Sequence, residues 1–217
     1  MTALLELQRK LVNKSLAHIP FDGWGEKSLL AAAQDIGVTA AEARNAFPGG
    51  GVEMVILFNE MADEAMVDAF TARQRPERIS DSIALLMRLR FEAVAPYKEA
   101  QRSAIGLLAL PGNMSTGLRL LNATVDLIWR QVGDYSADFS FYTKRATLAA
   151  LLSAATFYWL ADRSVGHEQT WLFIERQMFA LQRIPRWRKK WREARLRLPD
   201  PMLLYRRARW GGQRTQN

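Results

Sequence analysis

Few side chains in this sequence could make or break bonds, and their spacing limits which reactions they could run. There are two histidines, His18 and His167, and no cysteine. A thiolate nucleophile, a disulfide and a cysteine metal site are therefore all excluded. No H-E-x-x-H occurs, and neither histidine stands three residues after a glutamate, so the Glu-x-x-His half of a carboxylate di-metal site is missing too. There is no G-x-S-x-G elbow, and Gly49–Gly51 lacks the Lys-Ser/Thr of a phosphate-binding loop. Asp134 and Asp138 stand four apart, a spacing that two acid/base carboxylates could use. They flank a helix start, so capping, or pairing with Lys144 and Arg145, is the favoured reading. His18 lies at a helix end beside a turn and reads as structural. The expectation is a protein that is not an enzyme, with no cofactor and no metal.

The side chains suited to recognition are better represented. In Gly133–Arg145, the rings of Tyr135, Phe139, Phe141 and Tyr142 crowd around Lys144 and Arg145, with Trp129 just upstream. Aromatics beside arginine are what the centre of a protein interface uses. Ile128, Trp129, Asp134, Asp138, Phe141, Tyr142 and Arg145 thus form a candidate docking patch. The alternative is that the rings are interhelical core.

The tail offers a second kind of surface. Residues 176–217 hold 13 of the 30 basic residues and, of the acids, only Glu193 and Asp200. The chain's net charge of +8 therefore lies in the tail, and the body is slightly acidic. In 186–198, RWRKKWREARLRL, Trp187, Trp191, Ala194 and Leu198 make one narrow stripe, while Arg186, Arg188, Lys189, Lys190, Arg192, Arg195 and Arg197 fill much of the rest. A helix lying in a bilayer interface has this composition, with each cation near an anionic surface worth about 1 kcal/mol. The proposed membrane residues are Trp187, Arg188, Lys189, Lys190, Trp191, Arg192 and Arg195. Nucleic acid and a plain solvated helix remain as alternatives.

Helices must position all of this, since nearly every segment has helical period and no strand alternation is evident. The spacing predicts an all-α chain of about ten helices: 3–17, 26–36, 39–46, 52–71, 76–94, 97–110, 114–132, a central helix through 146–161, 166–183 and the basic 186–198. PFDGW at 20–24 should break the chain after the first helix. Thr39 with Glu42 is a capping box. Residues 1–50 read as a helix-turn-helix-like part, 51–184 as a bundle and 185–217 as the basic amphipathic tail. The uncharged run 146–161 has 16 residues, short of the roughly 20 that span a bilayer. At about 100° per residue, Phe141, Arg145, Leu148, Leu152, Ala155 and Trp159 share one face of it, and the helix should be covered nearly all round. Its expected neighbours include Leu85, Leu89, Leu108, Leu121, Val125 and Trp171. Periodicity does not separate a filled core from a lipid-lined tunnel.

Several motifs carry a family resemblance. G-D-x-S-x-D-F-x-x-Y-T-K-R at 133–145, preceded by T-V-D-x-I-W at 124–129, resembles the signature of the ubiquinone-biosynthesis accessory family called Coq-nine. PFDGW at 20–24, FPGG at 47–50 and Arg88-x-Arg90 before Pro96 agree with it. The resemblance implies a fold shared with tetracycline-repressor-like regulators, and an isoprenoid or quinone lipid held by Leu85, Leu89, Leu108, Leu121, Val125, Leu148, Leu152 and Trp171. It also implies that the docking patch meets the demethoxyubiquinone hydroxylase, a di-iron enzyme. Phe141 stands where the family usually has tryptophan. The tail would then meet an anionic membrane, and the chain would be cytoplasmic and peripheral on the inner membrane, or on the matrix side in mitochondria. Bundles of this class usually pair, so a homodimer is expected. The rival reading is a repressor-like regulator binding a small apolar effector. Its recognition helix, 39–46, offers only Arg44 and Asn45 against Glu42, and Pro48–Gly51 replaces the usual aromatic and lysine, so nucleic acid is the disfavoured partner.

Overall fold

Thirteen residues near the N-terminus show how the helices are set. In α1 (Ala3–Ser15), Leu11, Val12 and Ser15 fall on one side and are buried against α3 (Glu26–Asp35). The computed structural model describes residues 3–133 and 139–180, and for 139–142 the helix without its side chains. Among the described residues every regular element is helical. The expected basic helix at 186–198 lies outside them. The chain divides into two compact units, Met1–Ile174 and Glu175–Asn217, so the first 50 residues belong to the same unit as the bundle.

PFDGW breaks the chain after the first helix as expected, at its glycine and not at its proline. Ile19–Asp22 forms a short helix, α2, because Pro20 sits in its first turn, where a missing N–H costs nothing. The break comes at Gly23, whose φ of +69° favours glycine. Gly37, also left-handed, ends α3, and Thr39 starts α4 (Ala40–Ala46). The capping box forms as expected: Glu42 N–H donates to Thr39 Oγ1 at 3.3 Å, and Thr39 N–H to Glu42 Oε2 at 3.0 Å. The Thr39 hydroxyl also donates to Glu42 Oε2 at 2.6 Å, and that bond first, with the Thr39 N–H second, holds the Glu42 carboxyl below its usual range.

The bundle follows: α5 (Gly50–Thr71), α6 (Ile79–Val94), α7 (Lys98–Leu108), α8 (Met114–Gln131) and α9 (Phe139–Ala161), then helical residues 168–180. α5 starts two residues early, with Gly51 lying against the backbone of Trp24. α6 starts three residues later than Pro76. α5 lies along α6, and α8 pairs with α9. The indole of Trp24 reaches from the N-terminal part into the bundle. Its Nε1–H donates to Ala100 O of α7 at 2.9 Å, and its ring meets Phe58 with centroids 5.3 Å apart.

On α9, Leu148, Leu152, Ala155 and Trp159 are buried on one face, as the periodicity requires. Trp159 stacks on Phe91 at 5.4 Å. The other side corrects the expectation of a helix covered nearly all round. Ala150, Ala154, Phe157 and Tyr158 are exposed, because α8 and the elements around Phe91 cover only one side. No helix among the described residues is long and apolar enough to cross a membrane.

Asp162 closes α9. Its Oδ1 accepts from the N–H and hydroxyl of Ser164, at 2.8 and 2.6 Å, and its Oδ2 from those of Thr170, at 2.9 and 2.6 Å. Burial alone would raise its pKa, but these four bonds outweigh burial and hold the carboxyl well below the usual range. Such a group stabilises the fold above the ordinary carboxylate pKa and loses that contribution as pH falls through its folded value. Asp162→Asn should therefore cost about 2 kcal/mol at pH 7, since an amide N–H₂ would face two donors. In urea titrations the gap to the parent protein should narrow as pH falls below about 4.

Candidate functional site

α7, α8 and α9 line an open cavity of about 320 Å³, floored by Asn59 of α5 and Arg90 of α6. Its rim is apolar and open to solvent: Met114 is 51% exposed, Leu118 57% and Phe157 62%. Its walls are Ile105, Leu108, Leu121 and Leu152. At its floor the chemistry changes. Arg90, 5% exposed, donates Nε–H to Asp63 Oδ1 at 2.7 Å and Nη2–H to Asn59 Oδ1. Thr124, also buried, donates its hydroxyl to Asp63 Oδ2 at 2.7 Å. A buried charge is tolerable when paired and hydrogen-bonded, and Asp63 meets both conditions for Arg90.

The expected lipid residues divide. Leu108, Leu121 and Leu152 line the cavity. Leu89, Val125 and Leu148 are buried and do not border it. Leu85 and Trp171 are half-buried elsewhere, and Trp171 lies beside Phe91 and His167 with the Arg88 guanidinium 5.1 Å over its ring. Sequence reasoning missed Asn59, Arg90 and Thr124. A signal was present in α6, where Ile83, Leu86, Met87 and Val94 form a buried stripe that includes Arg90, a charge on the apolar face.

The docking patch is only partly placed. Asp134 and Asp138 lie outside the described residues, and the side chains of Phe141 and Tyr142 are not described. Ile128 is fully buried, beneath any such patch. Trp129 is half-buried, with Lys144 Nζ 5.7 Å from its ring centroid. Arg145 on α9 is ion-paired with Asp126 on α8, which clasps the two helices. The membrane residues Trp187, Arg188, Lys189, Lys190, Trp191, Arg192 and Arg195 lie outside the described residues. In the helix-turn-helix-like part, Arg44 is tied to Glu26 at 2.7 Å and His18 to Asp35 at 2.8 Å. No cluster of His, Cys, Asp or Glu among the described residues is arranged to hold a metal.

The fold has a solved counterpart in a TetR transcriptional regulator from Nitrosomonas europaea. The TM-score is 0.65 at 17% identity, covering 81% of this chain and 97% of that one, a likeness of fold alone. In sequence, the COQ9 family model matches residues 114–184. The mitochondrial ubiquinone biosynthesis protein COQ9 of Drosophila melanogaster is 32% identical over 177 residues, 79% of this chain and 54% of the fly protein. Those of Xenopus tropicalis and Homo sapiens are 31% and 28% identical, each over 80% of this chain and 57% of theirs. The chain thus spans little more than half the length of the curated relatives it matches. With its helix-turn-helix-like start, its α8–α9 pair and its motifs at 124–145, it is a relative of the COQ9 ubiquinone-biosynthesis proteins on a tetracycline-repressor-like fold.

Proposed function

We propose that this chain is a non-catalytic accessory protein of ubiquinone biosynthesis that binds an isoprenoid or quinone lipid between α7, α8 and α9. The observation that carries this is the cavity: an apolar shaft with an exposed apolar rim, in a chain similar to COQ9 proteins over about four fifths of its length. Its size refines the reading. Ligand pockets run from roughly 300 to 1,000 Å³, so one of about 320 Å³ holds a ring and a short stretch of chain. A long polyprenyl tail lies past the rim, along Met114, Leu118 and Phe157. Each 100 Å² of that tail exposed to water costs about 2.5 kcal/mol, so the lipid is best met at a membrane. The basic tail, with Trp187 and Trp191 among its cations, serves that contact on an anionic inner membrane. The 128–145 region receives the demethoxyubiquinone hydroxylase, and the protein works as a homodimer. The regulator reading draws on the fold shared with a TetR protein, but Arg44, the one cation of α4, is engaged by Glu26.

Mass spectrometry of lipids extracted from the purified protein tests the proposal. A quinone or isoprenoid lipid should be recovered in stoichiometric amount. Ile105→Trp, at a half-buried wall position, should fill the shaft and lower recovery at least several-fold while the melting temperature is kept. Recovery of no such lipid, or equal recovery from the filled variant, removes the cavity from the mechanism.

A further inference from the structure

We infer that the cavity floor is a head-group site for a neutral phenolic ring, entered ring first, with the Arg90 guanidinium donating to a ring oxygen and wall hydroxyls accepting from a ring O–H. This rests on the reading of the chain as a lipid-binding protein and specifies which lipids it takes.

A guanidinium has five N–H donors and no acceptor. Two of Arg90's are used, by Asp63 and Asn59, and among the described residues the remaining three have no acceptor. The side chain is 5% exposed and borders the open cavity, so a ligand oxygen there would take the place of solvent at its free N–H groups. The charge balance decides which oxygen. Asp63 already neutralises Arg90, so the floor is electrically closed. A phosphate or carboxylate would bring an uncompensated charge into an apolar shaft, at a cost of several kcal/mol. A neutral phenol or carbonyl oxygen brings none.

The wall hydroxyls complete the specification. Thr124 gives its proton to Asp63, Ser153 to Ala149 O at 2.8 Å, and Thr156 to Leu152 O at 2.7 Å. All three line the cavity with their donors spent, and so present only lone pairs. A fully oxidised quinone has acceptors alone and cannot satisfy them. A phenol or hydroquinone can donate to them and accept from Arg90.

The test compares three probes of one chain length, 2-geranylhydroquinone, geranylbenzene and geranyl phosphate, in equilibrium dialysis against the full chain under argon. The hydroquinone should bind at least about tenfold more tightly than the other two, the effect of one hydrogen bond from a charged donor. In Arg90→Lys, which keeps the charge beside Asp63 and loses the planar fork, that preference should fall below about threefold. Equal binding of hydroquinone and geranylbenzene to the parent protein overturns the head-group site and leaves a plain lipid pocket. Tighter binding of the phosphate overturns it by refuting the charge argument. Failure of all three to bind overturns the lipid reading itself. The parent-protein comparison stands even if Arg90→Lys does not fold.

Discussion

Asp63→Leu should cost about 4 kcal/mol of folding stability, because it strands the Arg90 charge in the interior. Both partners are almost fully enclosed, and Asp63 also takes the Thr124 hydroxyl, so the substitution orphans two donors as well as a cation. Removing the cation at the same time should recover most of the loss. Asp63→Leu with Arg90→Met replaces a buried pair by apolar groups of similar bulk, an exchange that is often near neutral. Urea titration of the parent, the single variant and the double variant gives the comparison. A single variant that loses less than about 1 kcal/mol would mean that water reaches the pair. The double variant has a second use: stable but without its donor, it should bind geranylbenzene and hydroquinone alike.

Gly51→Val should cost about 3 kcal/mol, for a reason unrelated to backbone freedom. A Cβ at this position would stand 2.3 Å from the Trp24 carbonyl oxygen and 2.8 Å from its carbon. Neither atom belongs to a flexible side chain, so the first turn of α5 or the turn at Gly23 has to move. Trp24 would then be drawn off Phe58 and off the Ala100 carbonyl. Gly50, next door, provides the contrast. Its φ is +62° and a Cβ there meets nothing within 4 Å, so Gly50→Ala should cost only about 1 kcal/mol of left-handed strain. Denaturation midpoints that rank the two in the opposite order would show that the α5–Trp24 contact is loose.

Much of the fold was legible because helices advertise themselves locally. The Thr39–Glu42 box, the Gly37 stop, and the buried face Leu148, Leu152, Ala155 and Trp159 all follow from short-range pattern and appear as expected. Ile19–Asp22 departs from the pattern because a proline in the first turn opens a helix as readily as one further along ends it. The covering of α9 was misjudged because its composition is apolar all round, and composition does not say how many neighbours a helix has. The candidate site was half legible. Leu108, Leu121 and Leu152 are on helix faces that the pattern aims inward, but Val125 and Leu148 have the same pattern and fill space instead. What separates a wall from a filled core is the distance between helices, which no single segment encodes. Asn59 and Arg90 stand 31 residues apart in the sequence, and they meet only because α5 and α6 lie side by side.

The Trp24 indole latches one wall of the shaft. Ala100, whose carbonyl it holds, is followed on the same α7 by Gln101, Ile105 and Leu108, all of them on the shaft wall. A helix this short moves as one piece, so α7 cannot swing outward without unlatching the tryptophan. The same helix also braces the wall across from it: Arg102 donates to Leu160 O at the end of α9 at 2.8 Å, and Lys98 to Asp162 O at 2.6 Å. One short helix thus ties the N-terminal part to the far side of the shaft.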